Sequence, residues 1–397
     1  MPLDEALPRI LSHIPVLGIE DKPIVEAFGQ VLAEDVISDV DVPPFTNSAM
    51  DGFAVRAADT PGRLTVVADQ PAGYVTDKSV GAGTAIRIMT GAVLPAGADA
   101  VVPVEETDGG RNGSVEILVA TPARANLRAA GEDIRKGECV LPAGTALNAG
   151  MVGVLASIGR PSVKVYRRPV VAFMTSGDEL VGPDQPLARG KIRNSNSYTL
   201  MCQIQQAGGV PRDLGVAKDT LEDIRAHVES GLQADLFVTS AGVSVGDFDY
   251  VKQVLEEHGK LELWRIAIRP GRPVAFGVFD GTPVLSLPGN PVSSMVTFEL
   301  FVRPAIAKMM GHTRLDPLTL PVTVLDEVDN RGGRRSFMRA IVIREQDRYV
   351  ARLTGPQGSG ILTSMARANA LVDVAADIDV LPAGSQAQAI LLSPVVD

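Results

Sequence analysis

The chain has 397 residues, 45 % of them hydrophobic and 21 % charged, a net charge of −10 and two cysteines. That length calls for several domains, and that composition is typical of a globular protein with well-buried cores. The acidic balance excludes a nucleic-acid binder held by a broad positive field, and no apolar run is long enough to cross a bilayer.

The start, Met1-Pro-Leu-Asp-Glu, has neither the basic nor the apolar part of a secretory leader, so a cytoplasmic protein is expected. Cys139 and Cys202 lie far apart and outside any Cys-x-x-Cys spacing, and read as reduced packing thiols. The histidines are scattered and give no zinc pattern.

In chain order, helical patterns are predicted over Asp4–His13 and Pro23–Leu32. From Phe45 to about Ala143 short Val/Ile/Thr-rich segments broken by Gly and Pro, such as Leu64–Ala68, Ala85–Met89 and Ala100–Val104, indicate a small β-rich domain. Asn148–Ser157 returns to a helix, which makes that β domain an insertion.

From Arg168 strands and helices alternate. Strands are read at Pro169–Met174, Val210–Ala217, Asp235–Ser240, Pro273–Val278 and Pro283–Leu287. Helices are read at Ser195–Ala207, Thr220–Leu232, Asp249–His258 and, as a long closing element, Pro291–Met310. Strands apolar throughout and alternating with helices predict a parallel sheet covered on both faces, with ligands outside its carboxyl ends. The last zone, from about Pro317, shows no clear helix. Val322–Leu325, Arg339–Ile343, Tyr349–Leu353 and Gln388–Leu392 read as strands of a small barrel or sandwich. The expected boundaries are 1–44 with 144–168, 45–143, 169–313 and 314–397.

Three loops carry candidate chemistry. Ser240-Ala-Gly-Val-Ser-Val-Gly-Asp-Phe-Asp-Tyr250 follows a strand and precedes a helix, and brings a hydroxyl, Ser244, beside Asp247 and Asp249. Asp249 is either a helix N-cap or a ligand for a hydrated divalent cation. Gly242-Val-Ser-Val-Gly246 formally fits a hydrolase nucleophile elbow, but Gly246-Asp247 intervenes before the helix, and only His258 and His312 follow.

In Leu287-Pro-Gly-Asn-Pro-Val-Ser-Ser294, Asn290 is a good N-cap before Pro291. Free amides and the hydroxyls of Ser293 and Ser294 at that helix start also form a candidate anion seat. Between these loops, alternation in Trp264-Arg-Ile-Ala-Ile-Arg-Pro-Gly-Arg-Pro273 puts Arg265 and Arg269 on one side, with Arg272 after a Pro-Gly turn. Three cations clustered in an acidic chain suggest a phosphate clamp, against the plain alternative of a solvated strand face. Upstream, Asp51, Thr90 and Asp133 lie in turn-rich segments, Asp178 and Glu179 follow the first α/β strand, and Asp219 opens a capping box with Glu222.

Taken together, these segments resemble the molybdopterin molybdenumtransferase family, which includes bacterial MoeA proteins and the E domain of gephyrin. The likeness runs in order through Pro-Pro-Phe-Thr-Asn-Ser-Ala-Met-Asp-Gly, Ile-Met-Thr-Gly-Ala, Gly-Glu-Asp-Ile, Ser-Gly-Asp-Glu-Leu, Asn-Ser-Asn-Ser-Tyr, Gly-Val-Ser-Val-Gly-Asp-Phe-Asp-Tyr-Val-Lys, Pro-Gly-Arg-Pro and Leu-Pro-Gly-Asn-Pro-Val-Ser-Ser.

The resemblance implies an elongated N-terminal domain, an inserted β domain, a central three-layer α/β molybdopterin-binding domain and a C-terminal β-barrel-like domain. It also implies a homodimer whose cleft joins two subunits. The implied activity is transfer of molybdate onto the dithiolene of adenylylated molybdopterin, with Mg²⁺, releasing AMP and the molybdenum cofactor. Carried over by position, Ser244, Arg265, Arg269, Arg272, Pro273, Asn290 and Ser293 fall where the pterin ligand and its phosphate are held, and Arg339 and Ser359 where the C-terminal domain contributes. Asp51, Thr90, Asp133, Glu179, Asp219 and Asp249 fall at polar cleft positions, with Asp249, Asp219 and Glu179 as candidate Mg²⁺ ligands. Arg265 and Arg269 stand where relatives often carry lysine, and Ala241 where glycine is usual. Two alternatives are a molybdopterin adenylyltransferase, which usually consists of the α/β domain alone, and a non-enzymatic scaffold of the gephyrin E-domain type. The upstream adenylyltransferase is also an expected partner.

Overall fold

The computed structural model describes residues 1–240, 250–263 and 265–395. Contacts divide the chain into two compact units, one of Met1–Glu20, Gly29–Ala33 and Lys164–Asp397 and another of Asp21–Phe28 and Glu34–Val163. In the first unit, α1 (Leu3–Ser12) buries Leu3, Ala6 and Ile10, spaced to form one helical stripe.

The second unit is built on a five-stranded sheet of β1 (Gly52–Val55), β2 (Gly62–Gln70), β3 (Thr84–Ile88), β4 (Ala100–Pro103) and β5 (Ser114–Ile117), in the order β4-β1-β3-β2-β5. Alternation gives it two buried faces. Phe53 and Val55 pack with Leu64, Ala85 and Val102, while Ala54 packs with Ile86, Ile88 and Val101. Further on, α2 (Ala149–Ser157) is capped by Asn148, whose side chain accepts the Met151 amide at 3.0 Å. The helix expected over Pro23–Leu32 is absent. The chain there forms turns, with Ala27 donating to the Pro23 carbonyl at 3.0 Å, and Gly29 at φ +76° ends them. Ala27, Val31 and Leu32 are fully buried while Val25 is 75 % exposed and Phe28 54 %, so the apolar residues are divided between core and surface without forming one helical stripe.

In the first unit, β6 (Val170–Ser176), α3 (Asn196–Gln206), β7 (Val210–Ala217), α4 (Leu221–Gly231), β8 (Leu236–Ser240), α5 (Tyr250–His258), β9 (Gly259–Leu263), β10 (Ile268–Arg269), β11 (Ala275–Phe279), β12 (Thr282–Leu287), α6 (Pro291–Thr297) and α7 (Arg303–Met309) follow in turn. Except for β10, the strands form one sheet in the order β7-β6-β8-β12-β11-β9. The first four are parallel, as expected. β11 runs antiparallel to both of its neighbours, β9 and β12, and the two-residue turn at 280–281 returns the chain directly from β11 into β12. Val171, Phe173, Leu236 and Val238 pack under α3 and α6 on one face, and Ala172, Met174 and Phe237 under α4 and α5 on the other. The three-layer arrangement is therefore present. The expected long closing helix is interrupted, since Phe298–Val302 is a π-helical turn between α6 and α7.

The C-terminal strands are β13 (Thr319–Val324), β14 (Arg335–Glu345), β15 (Arg348–Leu353), β16 (Ala370–Val374) and β17 (Gln386–Leu391). They close as β14-β15-β13-β17-β16 with β16 returning to β14, a five-stranded barrel filled by Val322, Met338, Ala340, Val342, Val372 and Ala389. A short helix not expected from the sequence, α8 (Leu362–Arg367), lies before β16. No helix among the described residues is long and apolar enough to cross a membrane. Cys139 and Cys202 are free but exposed, not packing thiols.

The amino ends of the parallel strands are tied by Asp235. It receives Arg167 through both carboxylate oxygens (2.6 and 2.5 Å) and the Val170 amide at 2.8 Å. Asp235→Ala leaves the Val170 amide and the guanidinium unmatched. Urea unfolding should show a loss of about 2 kcal/mol, while Asp39→Ala, whose carboxylate is exposed in its pair with Arg160, should stay within about 0.5 kcal/mol.

Candidate functional site

The chain switches from β6 to β7 on one side and then to β8 on the other, so the carboxyl ends of β6 and β8 flank a crevice. A cavity of about 420 Å³ opens there, lined by Thr175, Ser176, Glu179, Asn194, Asn196, Ser240, Pro273 and the Pro288–Pro291 turn. Its wall is polar yet mostly uncharged. The Asn196 amide nitrogen donates to Ser240 Oγ and to the Gly289 carbonyl, both at 2.8 Å, which joins the ends of β8 and β12. Asn194 donates to Thr175 Oγ1 and Ser197 Oγ, both at 2.9 Å, and fixes the first turn of α3 against β6. Because the Gly289 carbonyl only accepts, the Asn196 amide orientation is set, and its Oδ1 is buried with no donor among the described residues.

Gly177 is required in the loop after β6. Its φ is +140°, and a Cβ there would stand 2.5 Å from a Glu179 carboxylate oxygen. That close turn presents Glu179 to the cavity. Asp178 and Asp219 face each other across the ends of β6 and β7, each backbone amide donating to the other's carboxylate at 3.4 Å. Asp219 is thus not the cap of α4. Thr220 is, accepting the Asp223 amide, and Asp223 in turn accepts the Lys218 amide at 2.6 Å. Asn290 occupies the N-cap position of α6 without a side-chain cap bond and lines the cavity instead. The Val292 amide is taken by the Ser359 carbonyl at 3.1 Å, so the start of α6 is not an open amide seat. Ser293 is buried behind the turn at Gly271 and reaches neither cavity wall.

The barrel adds a cation to this region. β10 pairs in parallel with β14, Ile268 beside Arg335 and Arg269 beside Ser336. Arg339, two turns of the pleat further along β14, is only 1 % exposed. Its guanidinium donates to Ser364 Oγ at 3.2 Å and to the Gly358 carbonyl at 3.3 Å, and has no carboxylate partner among the described residues. Burial, with the Arg269 charge adding to it, pushes its pKa down to about 10. A buried cation with neutral partners and a second cation for a neighbour is a site one anion short.

Comparison with known proteins shows which anion-handling family this is. Residues 1–159 match the model of the MoeA N-terminal region (domain I and II), 172–308 that of a probable molybdopterin binding domain, and 321–392 that of the MoeA C-terminal region (domain IV). A molybdopterin molybdenumtransferase of Haemophilus influenzae is 36 % identical over 94 % of both chains, and molybdopterin molybdenumtransferase 2 of Mycobacterium tuberculosis is 37 % identical over 92 % of this chain and 93 % of that one. The chain belongs to the molybdopterin molybdenumtransferase family. The crystal structure of the molybdopterin biosynthesis MoeA protein from Pyrococcus horikoshii superposes with a TM-score of 0.83 at 33 % identity, covering 99 % of each chain.

Within this molybdenumtransferase, the structure gathers Glu179, Pro273 and Asn290 on the crevice cavity and sets Arg269 beside Arg339, with Ser359 in the adjoining loop. Arg265 and Arg272 line a different cavity. Asp51 and Thr90 meet in the second unit. Asp51 Oδ1 accepts the Thr90 amide at 2.7 Å and its hydroxyl at 2.8 Å, and these bonds, the amide first, hold the carboxyl below its ordinary value. Asp133 is exposed in the same unit, its amide bonded to the Val42 carbonyl at 3.0 Å. Ser244 and Asp249, with the Gly242–Gly246 elbow and Asp247, lie outside the described residues.

Among the described residues no group of three or more His, Cys, Asp or Glu is placed to hold a metal. Mg²⁺ needs only one or two protein carboxylates when phosphate oxygens complete its shell, so the donor chemistry of Asp178, Glu179 and Asp219 fits it. Sequence reasoning missed Asn194, Asn196 and Ser240 as cavity residues. Their signal was present as the Asn-Ser-Asn-Ser run at a helix start, which single-position reading treats as capping.

If Arg339 is kept for an anion, Arg339→Met should preserve or raise the thermal stability of the ligand-free chain, by about 1–2 kcal/mol, while weakening anion binding. A comparable loss of stability would make the guanidinium a structural element.

Proposed function

We propose that this chain transfers molybdate onto the dithiolene of adenylylated molybdopterin and releases AMP with the completed molybdenum cofactor. The observation that carries the reading is the buried Arg339 guanidinium, unpaired by any carboxylate and set beside Arg269 at the crevice end of α6. Splitting a phosphoanhydride asks for positive charge held still where phosphate charge accumulates, and a desolvated guanidinium meets that need without reorganising.

The mostly uncharged cavity supplies the complementary part. Asn196, Asn290, Ser240 and the 288–289 carbonyls offer fixed donors and acceptors to a polar heterocycle such as a pterin, and Pro273 covers one side. Ser359 and Arg269 hold the phosphate, and the enzyme's main work is to place two anions together that otherwise repel. Glu179 and Asp219, with Asp249 as a sequence-based third, would hold Mg²⁺, which when bound neutralises phosphate charge. Ser244 remains a ligand candidate on sequence alone.

The working enzyme on this reading is a cytoplasmic homodimer in which Asp51, Thr90 and Asp133 of one subunit serve the α/β domain of its partner, and it receives its substrate from an adenylyltransferase. Sedimentation at micromolar concentration should give a dimer. A monomer at every concentration, with activity intact, would remove the shared-cleft arrangement.

The deciding assay incubates the full chain with adenylylated molybdopterin, molybdate and Mg²⁺, and measures AMP together with cofactor able to activate an apo-molybdoenzyme. Both products are expected in equal amounts. AMP without active cofactor would sink the transfer reading. Glu179→Gln keeps the shape of an exposed side chain and removes its charge. AMP release should fall about a hundredfold, equivalent to ~2.7 kcal/mol, with the melting temperature unchanged.

A further inference from the structure

Between β6 and α3 the chain makes an excursion over residues 178–193, and none of those residues is buried. Leu180, Val181 and Gly182 are half-covered and the rest are exposed, Leu187 and Ile192 among them. Apolar burial therefore does little to place this segment, although Glu179, Leu180, Ile192 and Arg193 all line the crevice cavity.

Hydrogen bonds place it instead, and they run in one direction. Four consecutive residues, Lys191 to Asn194, donate to carbonyls of the outgoing limb. Lys191 Nζ reaches the Asp178 carbonyl. The Ile192 amide donates to the Glu179 carbonyl and the Asn194 amide to the Val181 carbonyl, both at 2.9 Å. Arg193 Nη1 donates to the carbonyls of Gly182 and Gln185, both at 2.7 Å. The amide bonds belong to a short parallel pairing of Leu180–Val181 with Ile192–Arg193, which most side chains would allow. The Arg193 bonds depend on the side chain. They gather the turn at 182–185, where the Gly182 amide also donates to Gln185 Oε1 at 3.1 Å, and close the outgoing limb on the returning one.

Asn194 gives this clamp a fixed base, since it is buried and bound to Thr175 and Ser197. Glu179 is carried by the limb that Arg193 holds. Its carboxylate folds back to 2.5 Å from where a Gly177 Cβ would stand, and no hydrogen bond or ion pair fixes it among the described residues. The backbone alone aims that charge. Arg193 forms no ion pair among the described residues either, although Asp178, Glu179 and Asp184 share the excursion. A guanidinium given to carbonyls beside three carboxylates is holding chain rather than balancing charge.

We propose that Arg193 is a positioning residue for the transfer reaction, which clamps the 178–185 limb to the returning strand and so holds the Glu179 carboxylate at the crevice cavity. The inference takes the part played by Glu179 from the molybdenum-transfer reading above; the clamp itself stands apart from that reading.

The test compares the full chain with its Arg193→Gln and Arg193→Lys variants. Limited tryptic cleavage after Arg189 reads the clamp, and AMP release from adenylylated molybdopterin with molybdate and Mg²⁺ reads its consequence. Arg193→Gln should be cut about tenfold faster at an unchanged melting temperature, because the excursion opens without the sheet. Its AMP release should fall about tenfold, in kcat rather than in KM. Arg193→Lys, whose ammonium can serve both carbonyls, should recover most of each. A route through Glu179 leaves a signature that general loosening lacks. In a Glu179→Gln chain, adding Arg193→Gln should cost less than about twofold, because the charge it aims is already gone. A further tenfold loss in that background overturns the proposal, as does an Arg193→Gln chain that melts well below its parent. The two readings fail differently. Wild-type chain that releases no AMP, but whose protection at Arg189 depends on Arg193, loses the transfer activity and keeps the clamp. Wild-type chain that releases AMP at a rate untouched by Arg193→Gln does the reverse.

Discussion

The arrangement of cations in the first unit depends on one short contact, the parallel pairing of Ile268–Arg269 with Arg335–Ser336. That pair of residues joins the α/β layer to the barrel, and everything cationic is indexed from it. Ile266 and Ile268 turn inward to the core that also holds Phe337, Leu371 and Ile390 of the barrel, so one hydrophobic cluster runs through both parts. Each such side chain stabilises the junction by about 1.5–3 kcal/mol. The same alternation leaves Arg265 and Arg269 on the opposite side, uncovered by that core.

β14 obeys the same rule of two. Met338, Ala340 and Val342 fill the barrel, so Arg335, Phe337 and Arg339 lie on its outside. An arginine on the outer face of a small barrel would ordinarily be wet. Here α8 and the loop at 357–359 cover it, and Gln357 bonds the Arg339 amide at 2.9 Å. The burial is produced by tertiary packing and not by any property of the strand, and it turns a surface charge into a desolvated one. Desolvation raises the strength of any later bond to an anion, because no water competes for the guanidinium.

This explains which parts of the molecule were legible beforehand. β6 and β8 announce themselves because strands buried on both faces must be apolar at every position, as Val170–Met174 and Leu236–Val238 are. The sequence around Pro23–Leu32 has the spacing of a helix, yet Val25 and Phe28 are exposed while Ala27, Val31 and Leu32 are buried, and periodicity alone does not reveal that turns place them. The short helix before β16 has six residues, fewer than two turns, too few for any period to register. Asp219 looked like a cap because it begins an Asp-Thr-Leu-Glu run, yet Thr220 one residue later serves the purpose and leaves the aspartate to Asp178. The family motifs located the crevice loops correctly. They did not separate Arg265 and Arg272 from Arg269, since that division arises only when the barrel docks.

The two walls of the site therefore do different physical work. The crevice cavity is nearly neutral and held by Asn194 and Asn196, so it discriminates by donor and acceptor pattern, where a mismatch leaves a buried group unpaired at a cost of about 1–3 kcal/mol. The guanidinia discriminate hardly at all among oxyanions of like charge, but they set affinity. Their reach is short. With a net charge of −10 on the chain and a screening length of about 8–10 Å at physiological salt, an approaching anion feels repulsion or nothing until it is inside the site. Attraction then acts at contact distance only. It follows that charge here serves retention more than capture, and that exchanging lysine for arginine at 265 and 269 alters how firmly a phosphate is gripped in the fork of a guanidinium rather than how fast it arrives.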